Sequence, residues 1–117
     1  MARSDQLKER TYRFALRVVQ LCRLYPRTLE GRIFSQQLLR AGTGVAANYR
    51  AACRGRSRRE FAAKLGTVIE EADESEFWLS ATRDLEIVTA PEVESLRVEA
   101  DELVAIFTQS RRTATGN

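Results

Sequence analysis

Four times along this chain, apolar residues recur at alternating steps of four and three, the seam spacing of a helix packed nearly parallel to its neighbours. The first run is Leu7, Thr11, Phe14, Val18, Leu21 and Tyr25. The second is Phe34, Leu38, Ala41, Val45, Asn48 or Tyr49, and Ala52. Phe61, Leu65, Val68, Ala72, Ser75 and Leu79, widened by Ile69 and Trp78, make the third, and Val93, Leu96, Ala100, Leu103 and Phe107 make the fourth. No segment alternates with the period of two that a half-buried strand needs. The spacing therefore predicts helices over about 4–25, 32–54, 58–87 and 90–112.

The breaks between the runs carry stop and start signals. Pro26 pushes the preceding residue out of the helical region, Ser4 or Asp5 is a candidate N-cap for the first helix, and Arg27 to Gly31 reads as a loop. Ser57-Arg58-Arg59-Glu60 and Thr89-Ala90-Pro91-Glu92 both read as capping boxes. Gly42 and Gly44 each cost about 1 kcal/mol relative to alanine inside a helix, so they predict close packing of another helix on small residues. Four amphipathic helices with short connections give an all-α, antiparallel up-and-down four-helix bundle over 1–112, with a small polar tail at 113–117 expected to be disordered. The chain of 117 residues supplies one core of ordinary size.

Composition narrows the chemistry. There is no histidine, which removes the commonest general base and metal ligand. Cys22 and Cys53 lie in helical contexts without CxxC spacing and read as reduced thiols, and no apolar run approaches the roughly 18 residues that span a bilayer. With no secretory-type leader after Met1, the expectation is a cytoplasmic protein that needs no cofactor and has no membrane contact. The net charge of +3 conceals a split: residues 1–59 carry 14 Lys and Arg against 3 Asp and Glu, and residues 60–117 carry 5 against 13. Such asymmetry points to nucleic acid, to an acidic partner, or to pairing of one half with the other.

Three groups of residues are candidates for function. Arg50, Arg54, Arg56, Arg58 and Arg59 place five arginines within ten residues, a pattern suited to nucleic-acid phosphates or to ion pairing with the acidic third helix or another subunit. Glu70, Glu71, Asp73, Glu74 and Glu76 are the chain's densest carboxylates, but without histidine no di-metal site is expected from them. Asn48 sits on or beside the apolar stripe, where its amide needs partners such as Arg50, Arg54 or Glu74.

These segments resemble a known family. Gln36-Gln37-Leu38-Leu39-Arg40-Ala41, the Ala47-Asn48-Tyr49-Arg50-Ala51-Ala52 stretch, Gly55-Arg56-Ser57-Arg58-Arg59-Glu60-Phe61 and Glu71-Ala72-Asp73-Glu74 resemble the bacterial four-helix bundle family of 23S rRNA intervening-sequence proteins, over about residues 7–108. The resemblance implies a closed bundle, a ring-shaped homo-oligomer, typically a pentamer, and no enzymatic activity. Its motif positions fall on Arg40, Asn48, Arg50, Arg54, Ser57, Phe61 and Glu74, so Arg40, Asn48 and Glu74 are the expected structural polar network. Relatives often carry Glu where Ala51 stands. A similar fold occurs in accessory proteins of diversity-generating retroelements, which implies RNA or DNA, or a reverse transcriptase, as possible partners.

Overall fold

Cross-helix contacts show how the four runs are arranged. In the computed structural model, which describes residues 2–116, α1 spans Ala2–Cys22, α2 Leu29–Cys53, α3 Arg58–Asp84 and α4 Glu92–Thr115. Val18 packs on Gly42 while Cys22 lies against Ser35, so α1 and α2 run in opposite directions. Glu71 lies over Gly44 and Trp78 meets Phe34, which sets α3 antiparallel to α2. Arg97 reaches back to Glu76 while Arg111 lies over Gly66, and Arg10 and Arg17 bond Glu99 and Ser95, closing the ring of neighbours α1–α2–α3–α4. The result is the expected all-α, antiparallel up-and-down bundle, about 45 Å long and 22 by 21 Å across. There is no strand among the described residues.

Most of the predicted seam residues form the core, while Phe34, Asn48 and Phe61 are half-buried. Phe14, Val18, Leu38, Val45, Leu65, Val68, Leu79, Leu96, Leu103 and Phe107 are each at most 1% exposed. Thr11, Ser75 and Thr82 stand among them, and each satisfies its hydroxyl by donating to the carbonyl four residues earlier, at 2.8 to 2.9 Å. The Tyr25 hydroxyl pairs with Thr82 Oγ1 at 2.6 Å, which ties the α1–α2 loop to α3.

Several boundaries differ from those read in the sequence. The first helix ends at Cys22, because tighter bonds from the Leu24 and Tyr25 amides to the Leu21 and Cys22 carbonyls replace the last helical turn ahead of Pro26. Its N-terminal end lies at Ala2, so Ser4 and Asp5 are inside the first turn and do not cap it. Thr28, placed in a loop by sequence, caps α2 three residues early by accepting from the Gly31 amide at 3.1 Å. Ser57 caps α3 as expected, and the Glu60 carboxylate accepts from the Arg56 amide at 3.3 Å. The helix stops at Asp84, where Glu86 adopts φ of 54° and the Ile87 amide reaches back to the Thr82 carbonyl. This is a Schellman ending without its usual glycine.

At α4 the expected Thr89 capping box does not form. Pro91 stands at the cap with φ of −58°, and the Val93 amide bonds the Ala90 carbonyl. A proline preset for the first turn makes a side-chain cap dispensable. The tail expected to be disordered is mostly helix: α4 continues through Thr115 and ends on Gly116 with φ of 81°. Thr113, Ala114 and Thr115 thereby join the helix, while Asn117 lies outside the described residues.

The two mid-helix glycines of α2 meet different neighbours. A Cβ on Gly42 would lie 2.8 to 3.0 Å from three atoms of Val18, all close to a rigid β-branched side chain on the facing helix. A Cβ on Gly44 would meet the far end of Glu71, with Oε2 at 2.6 Å. Gly42→Ala is therefore expected to destabilise the fold by about 1–3 kcal/mol despite better helix propensity, because α1 must move away. Gly44→Ala displaces only a mobile carboxylate and is expected to leave the melting temperature unchanged or raised. Thermal unfolding of the two variants side by side checks this.

Candidate nucleic-acid interface

Antiparallel packing gathers four helix termini at one end of the bundle: the start of α1, the end of α2, the start of α3 and the end of α4. Arginines from all four meet there. Arg50, Arg54, Arg56, Arg58 and Arg59 come from the α2–α3 junction, and Arg3, Arg111 and Arg112 join them from the two ends of the chain. All eight side chains are exposed, and none lies within 4.0 Å of a described carboxylate. The acids of this end are few. Asp5 lies near Lys8, and Glu60 is engaged by the Arg56 backbone amide.

The opposite end is balanced. Arg23, Arg27, Arg32 and Arg83 share it with Glu30, Asp84, Glu86, Glu92 and Glu94. Arg97 and Arg83 both donate to Glu94 at 2.9 Å and hold its carboxyl down at about 2. Along the sides, Arg10 bonds Glu99 through both Nε and Nη2 at 2.7 and 2.8 Å and also reaches Glu102, linking α1 to α4. The ion pairs that the acidic half makes among the described residues therefore go to Arg10, Arg40, Arg83 and Arg97, all outside the junction cluster.

The helix dipoles at the pole act in both directions. A helix carries partial positive charge at its N-terminus, so cations in the first turn are unfavourable by a few tenths to about 1 kcal/mol each. Arg58 and Arg59 occupy the first two positions of α3, and Arg3 lies in the first turn of α1. Arg50, Arg111 and Arg112 lie at helix C-terminal ends, where the dipole favours them. Arginines that oppose the dipole and lack an acidic partner are a local conflict of the kind functional surfaces carry.

Arg58, Arg59 and Arg111 line a shared groove of about 510 Å³ between α3 and α4, with Ala62, Ala63 and Ala114 as its apolar walls. The Arg111 guanidinium lies over Gly66 of α3, where a Cβ would stand in ordinary contact at 3.5 Å from Cζ. Sequence reading found the junction cluster but missed Arg3, Arg111 and Arg112. The up-and-down order was the available signal, because it puts the last turn of α4 beside the first turn of α3.

The polar trio forms only in part. Arg40 Nη2 lies 3.5 Å from Glu74 Oε2, a long contact between exposed groups, whereas Asn48 donates to the Gly44 carbonyl of its own helix at 2.8 Å. Glu71 enters where sequence reading did not place it. Burial pushes its carboxyl above the usual range, the Glu74 charge adds to that, and Arg40 opposes it. A carboxyl raised in the folded state costs stability as pH climbs through its folded value, because the native state then holds more protons than the unfolded chain. Glu71→Gln is accordingly expected to raise the melting temperature at pH 7 and to change it little at pH 4, where the carboxyl is largely protonated in both states. Melting curves across that range check the sign.

The two cysteines are free and sit toward opposite ends of the bundle. Cys22 donates its thiol to the Ser35 carbonyl at 3.4 Å, and burial pushes its pKa up to about 11. Among the described residues no three His, Cys, Asp or Glu side chains converge as metal ligands would, and no helix is long and apolar enough to cross a membrane.

Comparison with known proteins places the fold. A crystal structure of a protein of unknown function from the S23 ribosomal protein family of Bacteroides thetaiotaomicron superposes with a TM-score of 0.79 at 30% identity, over 90% of this chain and 97% of that one. No curated protein matches the chain. Residues 4–109, nearly the whole bundle, match the 23S rRNA-intervening sequence protein family, and the chain belongs to that family.

Proposed function

We propose that this protein is a non-enzymatic, homo-oligomeric bundle of the cytoplasm that binds structured RNA or another nucleic acid through its arginine-rich pole. One observation carries the reading: eight exposed arginines at one end have no carboxylate partner among the described residues. Pairing within the chain was one competing use of the junction cluster, and the ion pairs of the acidic half among the described residues go elsewhere. What remains is an unneutralised surface suited to phosphates, in which guanidinium forks bind oxygens in pairs. Tyr12 and Leu16, one turn apart on α1, and Leu39 on α2 remain exposed and supply apolar surface for self-association.

The test is fluorescence anisotropy of labelled RNA over a range of salt. Binding that falls steeply with salt on logarithmic axes, by several units of slope, is expected, because each neutralised phosphate releases counterions. Retention that ignores salt, or no retention at low salt, overturns the reading. In that case an acidic protein surface, either that of another subunit in an oligomeric interaction scaffold or that of a reverse transcriptase served by an accessory subunit, is the use of the pole. Recovery of bound RNA and protein from the host separates the two.

A further inference from the structure

Beside the arginine groove, a cleft of about 490 Å³ opens at the same end of the bundle, within the roughly 300–1,000 Å³ range of small-molecule sites. Phe61 and Tyr49 give it an aromatic floor, Arg3 and Arg58 stand at its rim, and Gln109 and Ser110 of α4 supply hydrogen-bonding groups. Tyr49 is held rigidly, 2% exposed and with its ring 4.9 Å from that of Phe107. Arg58 lines both this cleft and the groove of Arg59 and Arg111, so one residue borders both.

An aromatic recess next to a track of cations is the arrangement that holds a splayed base beside its own backbone. A duplex keeps its bases stacked and presents only phosphates to such a surface. We propose that the cleft receives one unpaired nucleotide of an RNA strand, its base against the half-buried ring of Phe61, which the buried Tyr49 backs, with the flanking phosphates on Arg58 and along the Arg59 and Arg111 groove. This rests on the nucleic-acid reading above and deepens it, since it assigns the pole a preference for single-stranded over paired RNA.

Three probes at one salt concentration test it: a short oligouridylate, a sugar–phosphate chain of the same length carrying abasic sites, and a duplex of that length. The oligouridylate is expected to bind about tenfold or more tightly than the abasic chain, the range of one base stacked on an aromatic ring. Ser110→Trp, which fills the cleft from a half-exposed helical position, is expected to bring the oligouridylate down to the abasic affinity and to leave the duplex unchanged. Phe61→Leu keeps apolar volume without the ring and is expected to cost the oligouridylate alone several-fold. Equal affinities for oligouridylate and abasic chain overturn the cleft, as does an equal fall for every probe in both variants, while the arginine reading stands. Failure of all three probes to bind the unaltered protein overturns the arginine reading instead, and the cleft with it.

Discussion

Replacing Arg54 and Arg58 together by glutamate is expected to weaken RNA binding about a hundredfold or more at low salt, with the melting temperature held within a few degrees. Both side chains are exposed and carry no ion pair among the described residues, so no buried partner there is orphaned by the change. The stability terms nearly cancel. Glutamate at position 58 suits the α3 N-terminus and gains a few tenths to about 1 kcal/mol, and glutamate at position 54, the C-cap of α2, loses a similar amount. Binding has no such cancellation, since two phosphate contacts become two repulsions. The slope of log affinity against log salt should shrink by about 1.4 for single-stranded RNA, from roughly 0.7 per lost phosphate. The single variant Arg58→Glu gives a sharper signature: weaker binding together with a slightly higher melting temperature. An arginine kept for folding would show both quantities falling. Anisotropy titrations and thermal melts on the same preparations read the two effects.

The bundle itself was legible because each helix repeats its core spacing for four or five steps, and a pattern of that length leaves no competing period. Boundaries were less legible. Thr28 and Thr89 both precede a helix, yet only Thr28 caps one, because Pro91 already fixes the first turn of α4 by ring geometry. The end of α4 looked like a tail because Thr113 to Asn117 is small and polar. Those residues lack seam positions, but Thr113 and Thr115 donate their hydroxyls back to helix carbonyls, and Gly116 supplies the left-handed stop.

The site divides along the same line. Five arginines adjacent in sequence were visible as a cluster, whereas Arg3, Arg111 and Arg112 join it only through tertiary packing. Asn48 looked like a network member from its place on the stripe, but its amide finds a carbonyl one turn away on its own helix, an option that sequence spacing does not rank against a partner on α3. Glu71 was one acid among five in sequence. Its distinct environment comes from Gly44, which opens space on α2 for its carboxylate.

The second large effect is expected at Phe107, where the core and the proposed site share a wall. Its ring is fully buried on α4 and packs against Tyr49 at a tilt of 42°. Removing it leaves a void at the end of the bundle that neighbouring helices cannot close, since α2 and α4 are held apart by α1 and α3. Phe107→Ala is expected to cost about 3–5 kcal/mol, the usual loss for a buried aromatic ring. For a chain of this length that lowers the melting temperature by about 12–20 °C, a large part of the marginal stability of such a fold. Phe107→Leu retains most of the volume and should cost much less. The informative comparison is binding by Phe107→Leu at a temperature where it remains folded. Tyr49 then keeps its place but loses the ring that braces it, so affinity for single-stranded RNA should fall modestly while duplex binding, which depends on the arginines, holds. A core residue without connection to the cleft would lower stability and leave that ratio untouched.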